Sequence, residues 1–157
     1  MTDSQITLDA LPPAEIVAKA GSIGEKKAAL PLTNLLPLSF LAGTYIAFGA
    51  LFASVISTGM VGVWPYGFMK LLQGLVFSMG LILVIVGGGE LFTGNVLLVV
   101  AWAQKKISLL RLLRNWLFVY VGNFIGSITV VFLVILSKEY MASTGDLGTF
   151  MLSTANA

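Results

Sequence analysis

Nine consecutive residues hold most of the chemical potential of this chain: Gly87-Gly88-Gly89-Glu90-Leu91-Phe92-Thr93-Gly94-Asn95. Glu90 is the one charge among the 34 residues between Lys70 and Lys105. An ionisable group in strongly apolar sequence is a candidate functional site, because it is costly there without a partner or a solute. Two roles are open to it. In one, it caps a half-helix or ties loop N–H groups together. In the other, it meets a solute directly, although a carboxylate facing a conducting path would repel anions. Thr93 and Asn95 add a hydroxyl and an amide, which serve either a polar solute or the loop itself. Three glycines in a helix interior cost about 1 kcal/mol each. The segment therefore predicts an interruption whose backbone N–H and C=O groups are free to bond.

Other chemistries fall away. Gly89-x-x-x-x-Gly94 resembles half of a phosphate loop, but Asn95 stands at the lysine position and no strand precedes it. The chain has no histidine and no cysteine. It therefore lacks the commonest general base, the commonest metal ligand, and any thiolate or disulfide site. With one carboxylate in the apolar region, no acid–base pair can be assembled, so the chain is not read as an enzyme. No cofactor is expected. A net charge of +2 is too small to indicate nucleic acid.

The elements that must position this segment lie in a membrane. Of 157 residues, 57% are hydrophobic and 10% charged, and the mean hydropathy is +0.96. Soluble domains run near 25% charged. Three charge-free or nearly charge-free runs predict an all-α integral membrane protein of three spans. The first is a helix over 35–56, with Trp64 and Tyr66 as interfacial aromatics. The third runs over 115–137. The middle run would rise roughly 50 Å as one helix, far beyond a bilayer core. It is expected to be broken into Leu71–Val86, an irregular Gly87–Asn95, and a short Val96–Ala103. Irregular backbone at membrane depth must be buried in protein or line a wet cavity, and channels and transporters use such breaks to meet solutes.

Seven of the nine bases (Lys19, Lys26, Lys27, Lys105, Lys106, Arg111 and Arg114) fall on one side of this arrangement. The positive-inside rule then puts the N-terminus in the cytoplasm and the C-terminal tail outside. The start, with Asp3 and Asp9, has no apolar signal-peptide core. Pro12-Pro13 opens a short amphipathic helix with Ile16, Val17, Ala20 and Ile23 on one face, set against the membrane or the bundle. The expected division is a cytoplasmic segment 1–34, a three-span half-bundle 35–137, and a tail or connection 138–157. Small residues four apart, Gly43 with Ala47 and Gly122 with Gly126, predict close helix packing. Asn123, between the last two glycines, is expected to bond across helices. Phe77 and Leu81, four apart, can share a pore-facing ring or a packing stripe.

Ile85-Val86-Gly87-Gly88-Gly89-Glu90-Leu91-Phe92-Thr93-Gly94 closely resembles the first signature of the formate/nitrite transporter family. Arg114-Asn115-Trp116-Leu117-Phe118-Val119-Tyr120-Val121-Gly122-Asn123-Phe124-Ile125-Gly126 resembles its second recurring stretch. From about Pro12 to Thr154 the chain is similar to the N-terminal half of a bacterial formate channel. The resemblance implies one inverted-repeat half of an aquaporin-like six-span bundle, multi-pass in the bacterial inner membrane. It also implies a homopentamer with one pore per protomer, passing formate and related small monovalent anions such as nitrite.

By position in the motif, Leu91 and Phe92 would form the cytoplasmic constriction with Leu81, and Phe77 would contribute to the periplasmic one. Glu90, Thr93, Gly94 and Asn95 would belong to the substrate-facing Ω-shaped loop, with Thr93 toward the central chamber. Loop movement would gate the pore, and the N-terminal helix would respond to low pH. Spans four to six and the central histidine of the family have no counterpart in this sequence, which is expected to be a fragment. The alternative is a non-conducting membrane subunit, or a half-channel needing a partner.

Overall fold

The computed structural model describes residues 11–156. The acidic start at Asp3 and Asp9, and Ala157, lie outside the described residues. The fold is all-helical. Its helices are α1 (Pro13–Ala28), α2 (Leu32–Ser57), α3 (Tyr66–Val86), α4 (Phe92–Asn95), α5 (Leu98–Ala103), α6 (Leu109–Leu136) and α7 (Asp146–Ala155). Two short 3-10 turns, Glu139–Met141 and Ser143–Gly145, lead into α7. Among the described residues, three helices, α2, α3 and α6, are long and apolar enough to cross a membrane.

Each span is longer than its charge-free core suggested, for local reasons. α2 begins at Leu32, just after Pro31, and runs through Pro37. A proline this near a helix start removes one backbone bond, that to the Thr33 carbonyl, and leaves the rest of the helix intact. α3 begins at Tyr66 rather than Leu71, because Pro65 pre-sets the turn that enters it. α6 begins at Leu109 rather than Asn115, and Ser108 supplies its N-cap by accepting a hydrogen bond from the Arg111 N–H (3.3 Å). Arg111 and Arg114 thus lie on the first turns of the helix. The tail, expected only as a connection, contains α7, anchored by the buried Leu147.

The break is shorter than expected. Only Gly87–Leu91 leaves the helical state, because Phe92–Asn95 forms one helical turn before α5. α3 ends in a Schellman closure. The Gly89 N–H donates to the Val84 carbonyl (2.8 Å) and the Gly88 N–H to the Ile85 carbonyl (3.3 Å). Gly88 takes the left-handed position this motif requires, with φ +64°.

α2 is the central helix, packed on α6 along one side and on α3 along another. The small-residue prediction holds at the α2–α6 crossing for Gly43, Gly122 and Gly126. A Cβ on Gly43 would collide with the Asn123 backbone, one on Gly122 with Ser39, and one on Gly126 with the Phe40 carbonyl. Such contacts let two backbones approach closely in an apolar medium, where van der Waals packing drives association. α1 docks on α5. The face that docks is Gly21, Gly24 and Ala28, all buried, with Gly24 against Ala101. Of the face expected against the membrane or the bundle, Ile16, Val17 and Ile23 remain about half exposed. Small residues win because α1 must come within backbone distance of α5, and bulky β-branched side chains would hold it off. Ala28, Leu98, Ala101, Ile107 and Leu112 form the buried cluster that joins α1, α5 and α6.

A Gly126→Leu substitution should destabilise the fold by about 1–3 kcal/mol through overpacking against the Phe40 backbone. Gly67→Ala, which meets open space, should stay within about 0.5 kcal/mol of the parent. Denaturation in detergent followed by circular dichroism distinguishes them, and equal stabilities would contradict the crossing geometry.

Candidate functional site: the interrupted second span

Three elements converge on the break. From α2, the Leu38 carbonyl accepts the Glu90 N–H (3.1 Å). From α6, the Trp116 indole N–H donates to the Asn95 carbonyl (2.9 Å). Lys27, in the last turn of α1, reaches across to Glu90.

The carboxylate of Glu90 is 6% exposed. Its partners are side chains. Lys27 Nζ donates to both carboxylate oxygens (2.9 Å each) and to Asn95 Oδ1 (3.0 Å). These three bonds use all three donors of the ammonium group. Asn95 Nδ2 donates to Glu90 Oε2 (2.8 Å) and to Asn115 Oδ1 (2.9 Å). Asn115 Nδ2 in turn donates to the Lys27 carbonyl (3.2 Å), which closes the ring back onto α1. Among the described residues, no buried side-chain nitrogen or oxygen is left without a partner. The expected cap or loop-tying role of Glu90 is corrected by this geometry: the carboxylate serves an ion pair. A buried charge needs a counter-charge more than a loop N–H does.

The predicted residues divide into groups. Glu90 and Asn95 lie in the network, and Asn95 is fully buried. Phe92 opens α4 and packs edge-to-face on Trp116 (6.1 Å between centroids) and Tyr120 (5.6 Å). Leu91, half-buried, is the extended residue just before it. Thr93 and Gly94 are exposed. Phe77 is half-buried and Leu81 is 42% exposed, one turn apart on α3. The four apolar candidates lie on two elements of the broken span. Phe92 packs on α6, whereas α3 packs mainly on α2. Asn123 bonds across helices as expected, its amide reaching α2 at the Ser39 carbonyl (2.7 Å).

Lys27 and Asn115 are not identified as site residues by the sequence reading. A signal for Lys27 exists, since it is the base immediately before the first charge-free run. Asn115 carries no such mark, because its partners are 20 and 88 residues away. A cleft of about 400 Å³ lies between α1 and the second half of the broken span, with Lys19, Lys27, Gly94 and Leu97 in its wall. Among the described residues, no three His, Cys, Asp or Glu side chains cluster as metal ligands would. The site offers hydrogen bonds and an apolar surround rather than reactive groups.

The network makes a double-variant test. Lys27→Met leaves a buried carboxylate unpaired and should cost about 3–5 kcal/mol. Lys27→Met combined with Glu90→Leu should cost less than Lys27→Met alone. Urea denaturation in detergent reads both. Additive losses would mean that the two charges are not coupled.

Comparison with known proteins matches this architecture. A family profile described as formate/nitrite transporter matches residues 14–157. The formate channel FocA of Escherichia coli (strain K12) is 40% identical over 148 residues, which cover 94% of this chain and 52% of that protein. A probable formate transporter of Methanothermobacter thermautotrophicus is 42% identical over 122 residues, covering 76% of this chain and 44% of that protein. A solved pentameric formate channel with formate bound superposes with a TM-score of 0.72 at 44% identity, over 78% of this chain and 48% of that one. The chain thus spans about half the length of the curated relatives it matches. A broken second span held by α1, α2 and α6, with the family match running over nearly the whole sequence, identifies a multi-pass membrane protein and not an enzyme: the chain belongs to the formate/nitrite transporter family.

Proposed function

We propose that this chain acts as a formate channel of the bacterial inner membrane, with a hydrophobically constricted, loop-gated pore, assembled as a homopentamer with its N-terminus in the cytoplasm. The observation that carries this reading is the break itself. It follows directly on the membrane-length helix α3, and the α4 turn after it leaves Thr93 and Gly94 exposed while Glu90 and Asn95 are buried. Similarity to formate channels over this same region favours formate, with nitrite and other small monovalent anions as related solutes.

In this reading the Thr93 hydroxyl and the N–H groups of the exposed turn at Thr93 and Gly94 orient the carboxylate. Leu91 and Phe92, together with Leu81, narrow the cytoplasmic side, and Phe77 narrows the other. Apolar constrictions hold back hydrated ions by dewetting. A bare anion pays heavily to enter such a slot, so neutralisation by a proton lowers the barrier. The family resemblance assigns that proton to a histidine of the second half, and no residue of this chain is assigned to the step. Lys19, Lys26, Lys105, Lys106 and Arg111 raise the local anion concentration at the cytoplasmic mouth. The network through Lys27 ties the amphipathic helix α1 to the break, so a shift of α1 is felt at Glu90 and Asn95. That link supports α1 as the element that moves the loop.

Formate uptake by proteoliposomes tests the reading. Thr93→Val should lower the uptake rate by about tenfold, the worth of one hydrogen bond to a charged solute. An unchanged rate would remove Thr93 from the path. Leu91→Ala should admit larger monocarboxylates, and retained selectivity would count against the constriction. No uptake by the parent chain would favour the rival, a non-conducting subunit or a half-channel that needs a partner.

A further inference from the structure

We infer that Asn123 is a positioning residue that sets the orientation of Leu91 by clamping the peptide groups on both sides of it. The Asn123 side chain bonds the break twice. Its Oδ1 accepts the Phe92 N–H (2.8 Å), and its Nδ2 donates to the Glu90 carbonyl (2.9 Å). The same Nδ2 donates to the Ser39 carbonyl of α2 (2.7 Å).

The carbonyl of residue 90 and the N–H of residue 92 are the pair that a neighbouring strand residue would engage beside an extended residue. Leu91 is such a residue, with φ −96° and ψ 133°. One side-chain amide therefore stands in for a strand partner that no sheet supplies. It satisfies a carbonyl and an N–H that would otherwise be unpaired in apolar surroundings. The direction of a side chain follows from the two peptide planes that flank it. Holding both planes fixes where Leu91 points.

The clamp is itself held. The Asn123 backbone lies so close to α2 that only a glycine fits at position 43, and Gly122 and Gly126 bring the neighbouring turns of α6 equally near to α2. The Ser127 hydroxyl donates to the Gly43 carbonyl (3.2 Å) and to the Asn123 carbonyl (2.9 Å). The residue that clamps Leu91 thus sits at the α2–α6 crossing itself. The consequence for selectivity rests on the constriction role proposed for Leu91, whereas the positioning does not.

Amide hydrogen exchange of Phe92, read by NMR on the chain in lipid nanodiscs, tests the clamp. In Asn123→Ala the Phe92 amide should exchange about tenfold faster, as expected for the loss of its acceptor. In Asn123→Asp, which keeps an acceptor, protection should be largely retained. The amides of Val119 and Val130 on α6 should hold the parent rate in both. Unchanged exchange at Phe92 in Asn123→Ala would overturn the proposal. Acceleration of Val119 and Val130 together with Phe92 would also overturn it, because Asn123 would then serve helix packing alone. If Asn123→Ala does not give a folded chain, Asn123→Ser, without an amide, takes its place with the same two readings. Failure of both to fold would assign the residue to packing and overturn the proposal. Formate uptake measured on the same variants separates this claim from the channel reading. A loosened Phe92 with no uptake even by the parent would support the positioning role and overturn the channel.

Discussion

A carboxylate buried in an apolar bundle must be paired, and the rest of this structure follows from where its partner comes from. Glu90 finds its counter-charge in Lys27, 63 residues earlier and on a different helix. That choice brings the C-terminal end of α1 against the break. It also fixes Asn95, whose amide bridges the pair to Asn115 on α6. Removing two charges from water is expensive, and the pair is stable only because every remaining donor and acceptor is also satisfied. The network therefore specifies one conformation of the break more than it adds to overall stability.

Glycine sets the distances at which this network can close. At the α2–α6 crossing, Gly43, Gly122 and Gly126 let two spanning helices meet backbone to backbone. Where α1 meets α5, Gly24 lies against Ala101 and the Leu98 backbone, and Gly21 leaves room for the Gln104 side chain. With larger residues at these points, Lys27 and Asn123 would stand too far from residues 90 to 92 to hold them. Irregular backbone at membrane depth is tolerated only when its polar groups are satisfied. Here the groups next to Leu91 are satisfied by the Asn123 side chain of α6 and the Leu38 carbonyl of α2, leaving Thr93 and Gly94 exposed. Packing by small residues and hydrogen bonding by amides are thus parts of one arrangement.

Much of this was legible in the sequence, where a strong local signal existed. The three spans follow from charge-free runs, and the interruption follows from Gly87-Gly88-Gly89 beside a lone carboxylate. The span boundaries were misplaced because caps such as Ser108 and Pro65 extend a helix beyond its apolar core. The end of the break was misplaced because Phe92–Asn95 regains one helical turn, held by the bond from Trp116 to the Asn95 carbonyl. α7 was missed because an amphipathic helix of ten residues leaves little trace beside three apolar spans. The small-residue contact of α1 with α5 is not legible from hydrophobic periodicity, which marks the bulky Ile16, Val17 and Ile23 instead. The partners of Glu90 lie far along the chain, and pairing at that distance is a tertiary property that no window of sequence displays.

The account depends on the break opening to water while its flanks stay closed. Because the sequence contains no cysteine, single cysteines can be placed one at a time and labelled with a membrane-impermeant thiol reagent in proteoliposomes. Thr93→Cys and Gly94→Cys should react readily, while Leu98→Cys and Ala101→Cys, at positions fully buried in the fold, should stay protected. Equal protection at all four positions would mean that the second span offers no hydrated opening, and would contradict the account.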